Sequence, residues 1–190
     1  VGVDPEVARP LLLDHRPDLL QLFAGRHPAG RIGGEVQDDQ LGSLGDQRLE
    51  IGARKAESGP LLEVERHRLG ADIFDLVNRS RIEEGLDPLS WSEALARVGE
   101  GHATELYVAG YFSHTSPETG TVADRVTSSG MRYRLVGENL ALAATARTVH
   151  QGLMDSPSHR ANILGSGYTR LGIGVVRGPL GLMVVQVFTG

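Results

Sequence analysis

Two histidines and a glutamate carry the chemistry this chain could perform. His114 lies in Phe112-Ser113-His114-Thr115-Ser116-Pro117, Glu138 in Gly137-Glu138-Asn139, and His159 in Ser156-Pro157-Ser158-His159-Arg160. Two neutral imidazoles and one carboxylate around an open fourth position form the ligand set of many catalytic zinc sites. His159 falls in the first turn of a short helix, where the dipole disfavours the protonated ring and leaves it able to bind metal. The spacings, 24 and 21 residues, leave open whether the three meet. In the other reading each side chain caps or hydrogen-bonds its own loop.

Other chemistries find less support. Ser113, Ser116, Ser156 and Ser158 flank the histidines, but there is no Gly-x-Ser-x-Gly elbow. There is no His-Glu-x-x-His either. Gly172-Ile173-Gly174 lacks the third glycine and the helix start of a dinucleotide site. It reads instead as strand glycines that let another backbone approach closely. His102 sits on an apolar helix face and reads as a hydrogen-bonded core histidine. His150 reads as a surface residue, and His15, His27 and His67 receive no role.

Composition narrows the field further. The chain has 190 residues, a formal charge of -5 and no cysteine. That excludes disulfides, thiolate metal sites and a cysteine nucleophile. An acidic chain without a basic run makes no nucleic-acid partner, because phosphate binding needs clustered Lys and Arg. No apolar stretch approaches the ~18 residues of a transmembrane segment. Residues 1–10 show no signal-peptide pattern.

Elements that could position these groups are legible over residues 71–190. A first helix spans about residues 71–84, with Ile73, Phe74, Val77 and Ile82 as its apolar side and Gly85 as its stop. Ser90 with Glu93 reads as a capping box for a second helix that Gly110 ends. Leu95, Val98, His102, Leu106 and Ala109 fall on one face of it. Thr121 opens a short helix, another covers about residues 146–154, and Ser156-Pro157 starts a last one that Gly165 ends. Leu171, Ile173 and Val175, the turn Gly178-Pro179-Leu180-Gly181, and residues 182–188 make a β-hairpin. Residues 133–142 supply a further strand or extended segment. Helices segregated from hairpin strands predict an α+β fold with helices packed on an antiparallel sheet.

Residues 1–70 differ in kind. They hold one aromatic, Phe23, against eight in residues 71–190. Their leucines cluster between Leu11 and Leu22, possible helix material after Pro17, and no sustained period follows Gly25. They read as a mostly poorly ordered leader. Lys55 is the one lysine among 19 basic residues, an arginine skew that suggests a GC-rich genome. With Val1 in place of Met, a mis-called N-terminal extension and a natural leader are both open, and an export signal is not visible.

Six motifs follow in order: Asn78-Arg79-Ser80-Arg81, Gly85-Leu86-Asp87-Pro88-Leu89-Ser90-Trp91, Tyr111-Phe112-Ser113-His114, Gly137-Glu138-Asn139, Ser156-Pro157-Ser158-His159-Arg160-Ala161-Asn162-Ile163-Leu164 and Gly172-Ile173-Gly174. Together they resemble those of CAP (SCP-like) domains, the superfamily of cysteine-rich secretory, antigen 5 and pathogenesis-related proteins, in its bacterial secreted branch. The resemblance covers residues 71–190. It implies an α-β-α sandwich with an antiparallel sheet between helical layers, and a secreted or cell-surface location. It also implies a cleft lined by a His-Glu-Glu-His tetrad, in which His114, Glu138 and His159 match three members. The second Glu is missing: Asp155 lies near its place, one residue early, beside Ser156 and Pro157. The tryptophan frequent at the Leu153 position is absent too. Divalent metal, often zinc, binds at this cleft in some members.

Three functions follow as expectations. The favoured one is an extracellular binding module whose His/Glu cleft, with or without Zn²⁺ or another divalent metal, recognises a lipid, cell-wall or protein ligand. The alternative is a metal-dependent hydrolase with Zn²⁺ on His114 and His159 and with Glu138 as general base or third ligand. One carboxylate cannot easily fill both roles, so the missing second Glu weighs against it. In the third, the same residues form a structural network that pins loops to the sheet.

Overall fold

The structure, a computed structural model, describes residues 21–28 and 60–190, with side chains from residue 63 onward. In chain order the elements are β1 (Gln21–Pro28), α1 (Pro60–Glu83), β2 (Ser90–Trp91), α2 (Glu93–Ala109), α3 (Val122–Ser128), β3 (Leu135–Ala143), α4 (Ala146–Asp155), α5 (Pro157–Ile163), β4 (Arg170–Gly178) and β5 (Gly181–Thr189). The sheet order is β1-β3-β5-β4-β2. All pairs are antiparallel except β2 with β4, a parallel contact of two rungs.

Both faces of the sheet are covered, so its central strands are apolar at almost every position rather than alternating. On one face Ala141, Ile173, Val184 and Phe188 pack with Ile73 and Val77 of α1, Val149 and Leu153 of α4, and Ile163 of α5. On the other, Leu140, Val185 and Val187 pack with Leu95, Ala103 and Leu106 of α2 and Val122 and Val126 of α3. Successive strand residues point to opposite faces, so Leu140 and Ala141 belong to different cores. This is the expected α-β-α sandwich of an α+β fold. The hairpin closes on Pro179 and Leu180, with Gly178 paired to Gly181.

Gly172 and Gly174 serve the close approach expected of them. A Cβ on Gly172 would stand 2.1 Å from the Ala96 amide nitrogen, and one on Gly174 2.1 Å from that of Glu100. Helix α2 therefore lies directly on the β4 backbone.

Several boundaries differ from expectation. Helix α1 begins at Pro60, eleven residues before residue 71. The cap of α2 is Ser92, whose Oγ accepts the Leu95 amide at 3.4 Å. Ser90 instead belongs to β2, where its amide donates to the Thr169 carbonyl. Ile82, placed on the apolar side of the first helix, is exposed. His150 is buried, its Nε2 2.9 Å from Ser80 Oγ on α1; the inner side of α4 is wide enough to include it. The leucine cluster before residue 21 lies outside the described residues, and Leu22 falls in β1.

Candidate functional site

The loop after α2 carries His114, and α2 holds it in three places. Gly110 ends the helix with φ 68°, a left-handed conformation that glycine adopts without strain. His102 Nε2 lies 3.0 Å from the Ser113 carbonyl. Glu105 Oε1 accepts from Tyr111 Oη and Ser116 Oγ, each at 2.6 Å. Ser116 Oγ in turn accepts the amides of Glu118 and Thr119 at 2.9 and 2.7 Å. The loop is thus tied on both sides of His114.

Helix α3 adds the cation. Its Thr121–Asp124 capping box fixes the start of the helix. One turn on, Arg125 is buried. Its guanidinium donates to the His114 carbonyl at 3.2 Å, to the Gly120 carbonyl at 2.6 Å and, from Nη2, to Glu138 Oε2 at 2.6 Å.

Strand β3 supplies the carboxylate. Glu138 has no solvent exposure. Its Oε1 accepts from His114 Nδ1 at 2.8 Å while Oε2 is held by Arg125. Burial pushes its pKa up, but the His114 hydrogen bond and the Arg125 charge outweigh that, and the net direction is down. The same core lowers the pKa of His102, chiefly by burial. For Glu105, burial raises the pKa, and the hydrogen bonds from Ser116 and Tyr111 more than reverse it.

His159 is placed differently. It is buried in the first turn of α5, with Nδ1 2.6 Å from Ser156 Oγ. Helix α5 packs on the sheet face opposite to α2 and α3. The strand alternation of β3 sends Glu138 toward His114 and Arg125 and the next residue, Asn139, toward α5. There Asn139 Nδ2 donates to the His159 carbonyl at 3.2 Å and to Gln186 Oε1 at 3.0 Å. Asn162 Nδ2 donates to Asn139 Oδ1 at 2.8 Å and to the Glu138 carbonyl at 3.1 Å. Glu138 thus reaches the His114 ring, and Asn139 the His159 backbone carbonyl, from opposite faces of the strand.

This arrangement does not fit the expected three-ligand centre of His114, Glu138 and His159. Both Glu138 oxygens are engaged, and a guanidinium already neutralises the carboxylate. Among the described residues, no three His, Asp or Glu side chains are grouped to hold a metal ion. Asp155 does not replace the missing Glu: it is exposed and accepts from Gln151 Nε2 at 2.9 Å.

Sequence reasoning missed Arg125 and Glu105, and named Asn162 and Arg81 only as members of motifs, without a role. Buried Arg81 donates to the carbonyls of Asp87, Ile163 and Gly165, so it ties the end of α1 to the end of α5. Arg125 had a findable signal: it lies between Val122 and Val126 in a helix too short to turn it far from their buried face.

Comparison with known proteins agrees with this fold. The family described as Cysteine-rich secretory protein family, CAP, matches residues 74–188. The uncharacterized protein YkwD of Bacillus subtilis is 34% identical over 119 residues, 62% of this chain and 46% of that protein. The uncharacterized membrane protein YlbC of the same organism is 36% identical over 106 residues, 55% of this chain and 31% of its own length. This chain therefore spans less than half of either relative. A crystal structure of an extracellular protein containing a SCP domain from Bacillus anthracis is similar with TM-score 0.64 and 34% identity, covering 70% of this chain and 45% of that one.

Proposed function

The chain belongs to the CAP family of cysteine-rich secretory proteins, and from that premise we propose that it is an extracellular binding module whose recognition group is His114. Glu138 carries this reading, because it is buried with both oxygens engaged. A general base needs a free lone pair within reach of the proton it takes and a pKa near the working pH. Glu138 is fully buried, each of its oxygens already accepts a hydrogen bond, and its pKa direction is down, all of which disfavour that role. What it does well is orient. A carboxylate can only accept, so His114 Nδ1 donates to it, and in the neutral ring Nε2 is then the acceptor. The His114 side chain is 20% exposed while Nε2 itself is buried, so a ligand would meet its carbon atoms first. The Bacillus anthracis protein of similar fold is an extracellular one, which supports the location. Among the described residues no helix is long and apolar enough to cross a membrane.

The ligand classes in play are lipid, cell-wall and protein. The test is co-sedimentation of the full chain with lipid vesicles, purified peptidoglycan and intact cell envelopes, beside a turnover assay on each, with and without Zn²⁺. Wild type is expected to bind one class without turnover. His114→Ala is expected to weaken that binding tenfold or more, with the variant still folded at the assay temperature despite losing its hydrogen bond to Glu138. Turnover lost in His114→Ala would replace this reading with the hydrolase. A large fall in melting temperature with unchanged binding would make the cluster structural.

A further inference from the structure

The family match begins at residue 74, so β1 comes from outside it. Without β1, the matched sheet would end at β3, whose outer backbone groups would form an open edge. Open edges are templates for pairing with another extended chain. Here the edge is filled: Gln21–Pro28 pairs antiparallel with β3 over eight rungs, from Gln21 opposite Leu142 to Pro28 opposite Leu135.

The register matters. Gly25 is opposite Glu138 and Ala24 is opposite Asn139. These are the two positions from which β3 reaches His114 on one face and the His159 carbonyl on the other. The added strand therefore runs along the edge at the one point where both halves of the candidate site connect. Its sequence, Gln-Leu-Phe-Ala-Gly-Arg-His-Pro, is poor strand material. Phe23 is its one residue of high strand propensity, and Gly25 and Pro28 disfavour strands. Its main chain pairs along β3, it lies against α5, and its covalent link to α1 gives a high local concentration.

We infer that the outer edge of β3 is a docking edge for an extended peptide, and that Gln21–Pro28 is a built-in occupant which such a ligand must displace. This rests on the binding-module reading and names its ligand class: a peptide of a partner protein that adds as a strand beside Glu138 and Asn139. Recognition by main-chain pairing needs no particular sequence, so side chains on either side of the edge supply the selectivity.

The test uses the full chain in two altered forms. In the first, Phe23→Pro and Ala24→Pro are combined. Neighbouring strand amides point to opposite sides, so one of the two must lose a bond to β3. In the second, a protease site placed between residues 29 and 59 is cut after folding, which removes the tether without a proline. The probe is a labelled synthetic peptide, Gln-Leu-Phe-Ala-Gly-Arg-His-Pro, read by fluorescence anisotropy. Amide hydrogen exchange of residues 136–142 is followed in parallel.

Both altered forms are expected to bind the probe at least tenfold more tightly than the intact chain. Amides of β3 should lose protection in the proline variant and regain it with the probe. Absence of probe binding to the cut chain, or unchanged β3 protection in a folded proline variant, would overturn the inference. Dimers of the proline-free chain that exchange β1 between copies would show the edge serving self-association instead, and would overturn it too. His114 is intact throughout, and the His114→Ala experiment leaves β1 intact, so failure of the edge and failure of the cleft reading are distinguishable.

Discussion

At the residue scale the site reduces to one buried carboxylate between two donors. Removing either partner exposes what that costs. In Arg125→Met, Glu138 keeps its charge and its burial but loses the guanidinium at 2.6 Å. A buried charge stripped of its partner typically costs about 3–5 kcal/mol, and urea unfolding of the variant should show a loss in that range. Arg125→Lys keeps the charge without the fork that spans Glu138, His114 and Gly120. It should recover only part of the loss, because a lysine cannot make those contacts together. Of this cluster the sequence alone indicated His114 and Glu138, through the order of weak motifs rather than through any spacing. Arg125 carried no motif.

At the element scale, α2 is placed by the backbone it touches. The Gly172 and Gly174 positions admit no side chain, since a Cβ would enter the α2 backbone itself. Gly174→Ala should destabilise by about 1–3 kcal/mol, the usual cost of forcing atoms into a packed core. Gly101 on the outer side of α2 is the control: nothing lies within 4 Å of a Cβ there. Gly101→Ala should stabilise by about 0.5–1 kcal/mol, the helix-interior difference between the two residues. Thermal melts of the two variants should move in opposite directions. The helices and the hairpin were legible because caps, glycine stops and periodicity agree over residues 85–190. The start of α1 was not, because residues 60–70 (Pro-Leu-Leu-Glu-Val-Glu-Arg-His-Arg-Leu-Gly) lack a wide apolar face. Strand β1 was not legible either, since Gln-Leu-Phe-Ala-Gly-Arg-His-Pro holds one residue of high strand propensity beside Gly and Pro.

At the scale of the whole molecule, the buried titratable groups set how stability follows pH. Burial lowers the pKa of both His102 and His150 below the ordinary 6.5. As pH falls below about 6.5, the unfolded chain takes up protons that the folded chain refuses, so stability falls with pH. Glu138 adds a second loss at lower pH. Its folded pKa lies below the ordinary 4.5, so its stabilisation is complete above that value and disappears as pH drops through the folded pKa. Melting temperature should therefore decline in two stages on acidification. His150→Gln should shrink the first stage to the part due to His102 and leave the second in place.

On the proposed function, Glu138 is a fixed, ionised orienting group and not a proton acceptor in a reaction. The measurement that bears on it most directly is a carboxyl ¹³C NMR titration of Glu138 in the full chain. A midpoint well below the ordinary glutamate value of 4.5 is expected in wild type, with a rise in Arg125→Met. A wild-type midpoint raised toward neutral pH would mark Glu138 as a competent general base, and would contradict the binding-module reading in favour of hydrolysis.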